Sequence, residues 1–145
     1  MNKTTFEQEL ERKGRLTYIC VGVSMLPLLR QRKDIITIEK KQGRCKKYDV
    51  ALYKRPNGSY VLHRVVEVRE KDYVILGDNC VNKEYGITDE NILGVMTSFV
   101  RDGREYSVNN GLYRLYSKLW YAIYPIRRAL KKAKVAIGRI VKRKK

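Results

Sequence analysis

The sequence predicts a mainly β domain preceded by a short helix and followed by a basic amphipathic one. Three observations carry that prediction. Between residues 15 and 108, short β-prone runs alternate with turn signals, the Asn57-Gly58 and Asp102-Gly103 pairs among them. From Leu112 to Ile140, apolar residues instead recur at helical spacing. The chain of 145 residues, 43% apolar and 32% charged, is long enough for one domain with a proper core.

Each element follows from its residues. The spacing predicts a helix over 5–13, with Thr5 as N-cap, Gln8 three residues on, Glu7 and Glu9 in the first turn and Gly14 as the stop. Residues 15–23 read as a strand that ends at Ser24. Pro27 follows within a turn, fixes its own φ and restricts Leu26, so the chain bends stiffly and the Ser24 hydroxyl is aimed. Gly22 permits close backbone approach there. Residues 34–40 and 48–54 are further strands, and the Asn57-Gly58 hairpin returns through 60–69. Period 2 places Val61, His63 and Val65 on one inward face, with Tyr60, Leu62, Arg64 and Val66 on the other. After 73–76 come an abrupt loop, Gly77-Asp78-Asn79-Cys80, and a polar loop through Asn82 to Gly86. Residues 92–100 and 104–108 then complete about seven strands, with no internal repeat.

The net charge of +17 is unevenly spread: from Gly111 onward there are 12 Lys and Arg and no acid, whereas the first 110 residues hold 20 basic and 15 acidic ones. Leu112, Leu115, Leu119, Ile123, Ile126, Leu130, Ala133, Ile137 and Ile140 form a helical stripe with Lys and Arg largely off it. Pro125 is expected to kink or split this helix. Tyr113, Tyr116, Trp120, Tyr121 and Tyr124 are expected to face a lipid headgroup boundary. The organisation is thus a lead-in at 1–14, a β domain at 15–109 and a basic tail at 110–145.

Cys20, Cys45 and Cys80 are odd in number and far apart, and the chain has one histidine, so neither a disulfide framework nor a zinc site is expected. No cofactor is expected, and the cysteines suit a reducing compartment. Residues 1–16 lack the apolar core of a secretion signal. The longest largely apolar stretches, 19–29 and 119–126, fall well short of the roughly 20 residues that span a bilayer.

Three blocks stand in one order: Ser24-Met25-Leu26-Pro27, His63-Arg64-Val65 and Gly77-Asp78-Asn79, with Tyr48-Asp49-Val50 between the first two. Over about residues 16–100 this set resembles the serine peptidases of the signal peptidase and LexA-like superfamily. The resemblance implies that family's β-fold, with Ser24 as nucleophile and His63 as general base, as in its histidine-base members rather than its lysine-base ones. The chemistry agrees, since an imidazole with an ordinary pKa of about 6.5 accepts a serine proton at neutral pH. The third role falls to Glu84, near where histidine-base enzymes carry an aspartate, or to Asp78 within the Gly-Asp-Asn motif; Glu84 is favoured as orienter and Asp78 as a shaper of the loop. Gly22, Met25 and Pro27 are expected to contact substrate, and the Ser24 backbone N–H to supply oxyanion stabilisation.

The expected activity is that of a serine endopeptidase cleaving a leader- or signal-like peptide laid in extended form beside Ser24. The competing expectation is a non-catalytic module of the same fold, using its tail on anionic membrane or nucleic acid. Residues 111–145 are expected to contact an anionic membrane peripherally, at its cytoplasmic face. Nucleic acid is not expected as the main partner, because too few residues precede the β domain for a helix-turn-helix.

Overall fold

Thr5 opens the first helix with a full capping box: its hydroxyl accepts the Gln8 N–H while the Gln8 side chain accepts the Thr5 N–H. The structure, a computed structural model, describes residues 5–143. Helix α1 (Phe6–Lys13) ends at Gly14 in the left-handed conformation, as expected. Its single buried side chain, Leu10, anchors it to the sheet.

Eight strands form one antiparallel sheet: β1 (Arg15–Ile19), β2 (Ile35–Lys40), β3 (Val50–Lys54), β4 (Tyr60–Val68), β5 (Tyr73–Leu76), β6 (Glu84–Ile87), β7 (Ile92–Arg101) and β8 (Arg104–Ser107). Their order is β1-β2-β7-β3-β4-β5-β6, with β8 added to β7. Strand β7 pairs with β2, β3 and β8 and so occupies the middle of the sheet. Gly94 permits this crowding, since a Cβ there would stand 2.5 Å from the Glu39 carbonyl oxygen.

Two differences from the expected strands have simple causes. Strand β1 ends at Ile19, four residues early, because the Cys20 N–H and C=O bond to Asp34 and Arg32 across a loop. The segment read as a polar loop contains β6, a short edge strand on β5 with Glu84, Tyr85 and Gly86 turned at least partly to solvent. An edge strand without apolar alternation leaves no period-2 signal.

The core lies on both faces of the sheet. Strand β3 sends Val50 and Leu52 into one cluster with Leu29, Ile36, Ile38 and Phe99, and Ala51 and Tyr53 into a second with Val65, Tyr73 and Ile75. A third cluster, Val66, Val74 and Leu76, closes on Tyr124 from the C-terminal segment.

That segment divides as Pro125 requires, into α2 (Gly111–Ala122) and α3 (Tyr124–Arg143), with Pro125 in the first turn of α3, where its missing N–H costs nothing. The Asn110 side chain caps α2 by accepting the Leu112 and Tyr113 N–H groups. Its aromatic residues do not form the expected lipid-facing surface. Tyr113 and Tyr124 are buried and Tyr116, Trp120 and Tyr121 half-buried, because the polar tips of Tyr113, Tyr116, Trp120 and Tyr124 find partners on the β body while the Tyr121 ring packs edge-on against Tyr48. The aliphatic stripe is left in solvent, and from Arg128 to Lys142 every side chain is exposed. No helix among the described residues is long and apolar enough to cross a membrane.

Candidate active site

Ser24 sits in a loop pinned from within. Met25, Leu28 and Leu29 are buried in the core, and Asp34, wholly buried, holds the Arg30 backbone N–H at 2.7 Å and its guanidinium at 2.8 Å. Gly22 has φ +86°, a conformation that favours glycine. With its backbone so fixed, half-buried Ser24 faces a cavity of about 360 Å³.

His63 lines the same cavity from the neighbouring face of β4. The Gly77–Cys80 loop brings the two together. Asn79 donates its backbone N–H to the Ser24 carbonyl at 2.8 Å and its side-chain amide to the Val23 carbonyl at 3.1 Å. A Cβ on Gly77 would stand 2.8 Å from the Ser24 carbonyl oxygen, 2.9 Å from His63 Nε2 and 2.7 Å from Cys80 Sγ. Only glycine fits that junction without displacing one of them, and His63 Nε2 and the Ser24 carbonyl oxygen both border it. No hydrogen bond joins the Ser24 hydroxyl to the ring among the described residues.

The other ring nitrogen, Nδ1, lies 3.4 Å from the Tyr53 hydroxyl, which is itself hydrogen-bonded to Glu84 Oε2. Burial, reinforced by Glu84, pushes the Tyr53 phenol well above its ordinary pKa, so it stays protonated and donates to the carboxylate. Its oxygen is then free to accept from Nδ1–H, which leaves Nε2 as the basic nitrogen. Arg55 completes the row, with Nε and Nη2 each 3.2 Å from a Glu84 oxygen. Burial raises the Glu84 pKa, but the hydrogen bonds from Arg55 and Tyr53 outweigh it and keep the group below the usual glutamate range. His63 moves the other way. Loss of hydration on burial disfavours the imidazolium more than Glu84 favours it, and its pKa falls to about 4.

The expected site residues are thus only partly assembled. Ser24, His63 and Gly22 border the cavity, and Glu84 reaches His63 through Tyr53 rather than by direct contact. Asp78 makes no hydrogen bond to the histidine among the described residues. Its carboxylate is taken by Arg64, at 2.8 Å and 2.9 Å, and by the Tyr116 hydroxyl at 2.7 Å, with both charged partners 2% exposed. Arg64 points to the opposite face of β4 from His63, and Asp78 goes with it. Met25 touches the cavity wall but is a core side chain, its sulfur accepting the Asp78 N–H. Pro27 lies outside the cavity, because the turn carries it towards β7, where its carbonyl accepts from Arg101. Tyr53 and Arg55 escaped the sequence reading; the alternation of β3, which places Tyr53 on the same face as Ala51 opposite His63, was the available signal.

Beside the cavity runs an exposed apolar strip. Strand β1 is an edge of the sheet, and Ile19, Val21 and Val23 stand exposed along the chain leading from it to Ser24. No group of metal-ligating side chains occurs among the described residues. Neither protein-family models, curated proteins nor solved structures contain a match to the chain.

Proposed function

We propose that this cavity is the active site of a serine endopeptidase. The observation that supports it most is that Ser24 and His63 line one cavity, with His63 Nδ1 occupied by Tyr53 and its Nε2 bordering Gly77 together with the Ser24 carbonyl oxygen. In the reaction, the Ser24 Oγ–H proton passes to His63 Nε2 as Oγ bonds to the scissile carbonyl carbon. The C–N bond then breaks, and His63 returns the proton to the leaving amine. Water hydrolyses the acyl-enzyme by the same exchange. Tyr53 positions the ring, and Glu84 stabilises the imidazolium through it. The substrate is a peptide in extended form, added to the free edge of β1, with apolar side chains against Ile19, Val21 and Val23.

The test is covalent labelling with a fluorophosphonate, which esterifies an activated serine. The parent protein is expected to take up one label, on the peptide containing Ser24, and absence of labelling on a folded protein would sink the proposal. The pH dependence is a second check. The base must be neutral to act, so kcat/KM should hold to about pH 5 and fall with an apparent pKa of about 4. A limb near pH 6.5 would instead indicate a hydrated histidine. Stability follows the same sign: the contribution from keeping His63 neutral is complete above about pH 6.5 and is lost as pH falls towards 4, on the order of 3 kcal/mol.

Replacing Tyr53 by phenylalanine leaves the packing of β3 in place but removes the link to Glu84. A fall in kcat of about tenfold to a hundredfold with little change in KM is expected from the loss of a positioning group. An unchanged kcat would show that the Tyr53 link has no part in the reaction.

A further inference from the structure

Beyond that site, we propose that α3 is a docking element for an anionic bilayer, lying in the plane of the headgroups with its aliphatic stripe in the acyl boundary. The stripe is free. Ile126, Leu130, Ile137 and Ile140 are 62%, 66%, 60% and 54% exposed, and their spacing puts them on one side of a 20-residue helix. Arg128, Lys131, Lys132, Lys134, Arg139 and Lys142 stand off that stripe, with no acidic residue from Gly111 onward to neutralise them.

Alternatives fit this face less well. The β body is already satisfied by the other face of the C-terminal segment, through Tyr113, Ser117 and Tyr124. A second copy laid along the stripe would bring two uniformly basic helices side by side, and like charges at that distance repel. A nucleic acid would pair with the cations but leave the aliphatic side chains in water. An anionic bilayer meets both halves of the pattern at once: apolar area leaves water, and each Lys or Arg gains from the surface potential.

The attachment is not a loose one. The Trp120 indole N–H and Arg127 Nη1 both donate to the Asp78 carbonyl, at 2.8 Å and 3.0 Å, and the Tyr124 hydroxyl donates to the Val81 carbonyl. The start of α3 is therefore fastened to the loop that frames the Ser24 cavity, and a bilayer under α3 would hold that cavity at a set height above the lipid.

The test is co-sedimentation of the full chain with vesicles of phosphatidylcholine alone or with about one-third phosphatidylglycerol, at about 0.15 M salt. Binding to the anionic vesicles and not to the neutral ones is expected. An Ile137→Glu, Ile140→Glu double variant, altered only at exposed positions, should bind at least about tenfold more weakly. A tryptophan introduced as Leu130→Trp should shift its emission to the blue on anionic vesicles. Failure to sediment overturns the proposal, as does binding that the double variant retains in full, which would mark adsorption by charge alone. Self-association of the parent, abolished in the double variant without vesicle binding, would assign the stripe to a second copy. None of these readouts depends on peptide cleavage.

Discussion

Ser24→Ala is expected to lower kcat/KM by about 10⁴-fold or more on any peptide the parent cleaves, while leaving the thermal midpoint within a few degrees of the parent. The size follows from the role: the nucleophile and its base act as a unit, and removing either leaves only the contribution of binding and oxyanion stabilisation. His63→Ala should therefore cost nearly as much, and the double variant little more than either alone. The stability should hold because Ser24 is half-buried and its side chain holds none of the contacts that pin the loop, which run through its backbone and through Met25, Leu29 and Asp34. Cleavage that survives both substitutions would place the chemistry elsewhere.

Asp78→Ala should have the opposite signature, a large loss of stability. It strands Arg64, a buried guanidinium whose remaining partners are the Tyr48 carbonyl and the Tyr113 and Ser117 hydroxyls, all neutral. Breaking such a pair costs on the order of 3–5 kcal/mol, and for a chain of this size the thermal midpoint should fall by roughly 10 °C. An Arg64→Met, Asp78→Leu double variant should recover much of that, since no charge is then left buried without a partner. Asp78→Asn separates structure from chemistry. If the variant stays fully stable but loses activity as completely as Ser24→Ala, Asp78 is the orienter of His63 after all.

Much of this was legible in the sequence because it depends on local rules. The Thr5 capping box, the Gly14 stop, the split at Pro125 and most of the strands are set by residues within a few positions of one another. The juxtaposition of Ser24, His63 and Gly77 was legible only through the order of three short blocks, since no periodicity brings residue 24 beside residue 63. The partner of each carboxylate was not legible. Whether Asp78 or Glu84 serves His63 depends on the face of β4 that each approaches, and Arg64, one residue from the histidine, claims Asp78 for the other side. The aromatic residues of α2 misled for a related reason. Tyr and Trp suit a lipid boundary and a partly polar protein interface equally well, and only the partners of their polar tips decide between them.

The central place of β7 also bears on how a ribosome must deliver this chain. Strands β1 and β2 emerge early and β3 to β6 follow as a meander, but each group keeps an open edge until residues 92–101 arrive to lie between them. Until then the nascent polypeptide is two unjoined half-sheets, a state that invites pairing with a neighbouring chain. Arg64 waits longer still, because Ser117 is made last among its partners. The sheet can therefore close as a unit only once β7 has been made, and bound chaperones should be found most on nascent chains that have passed β6 and lack β7.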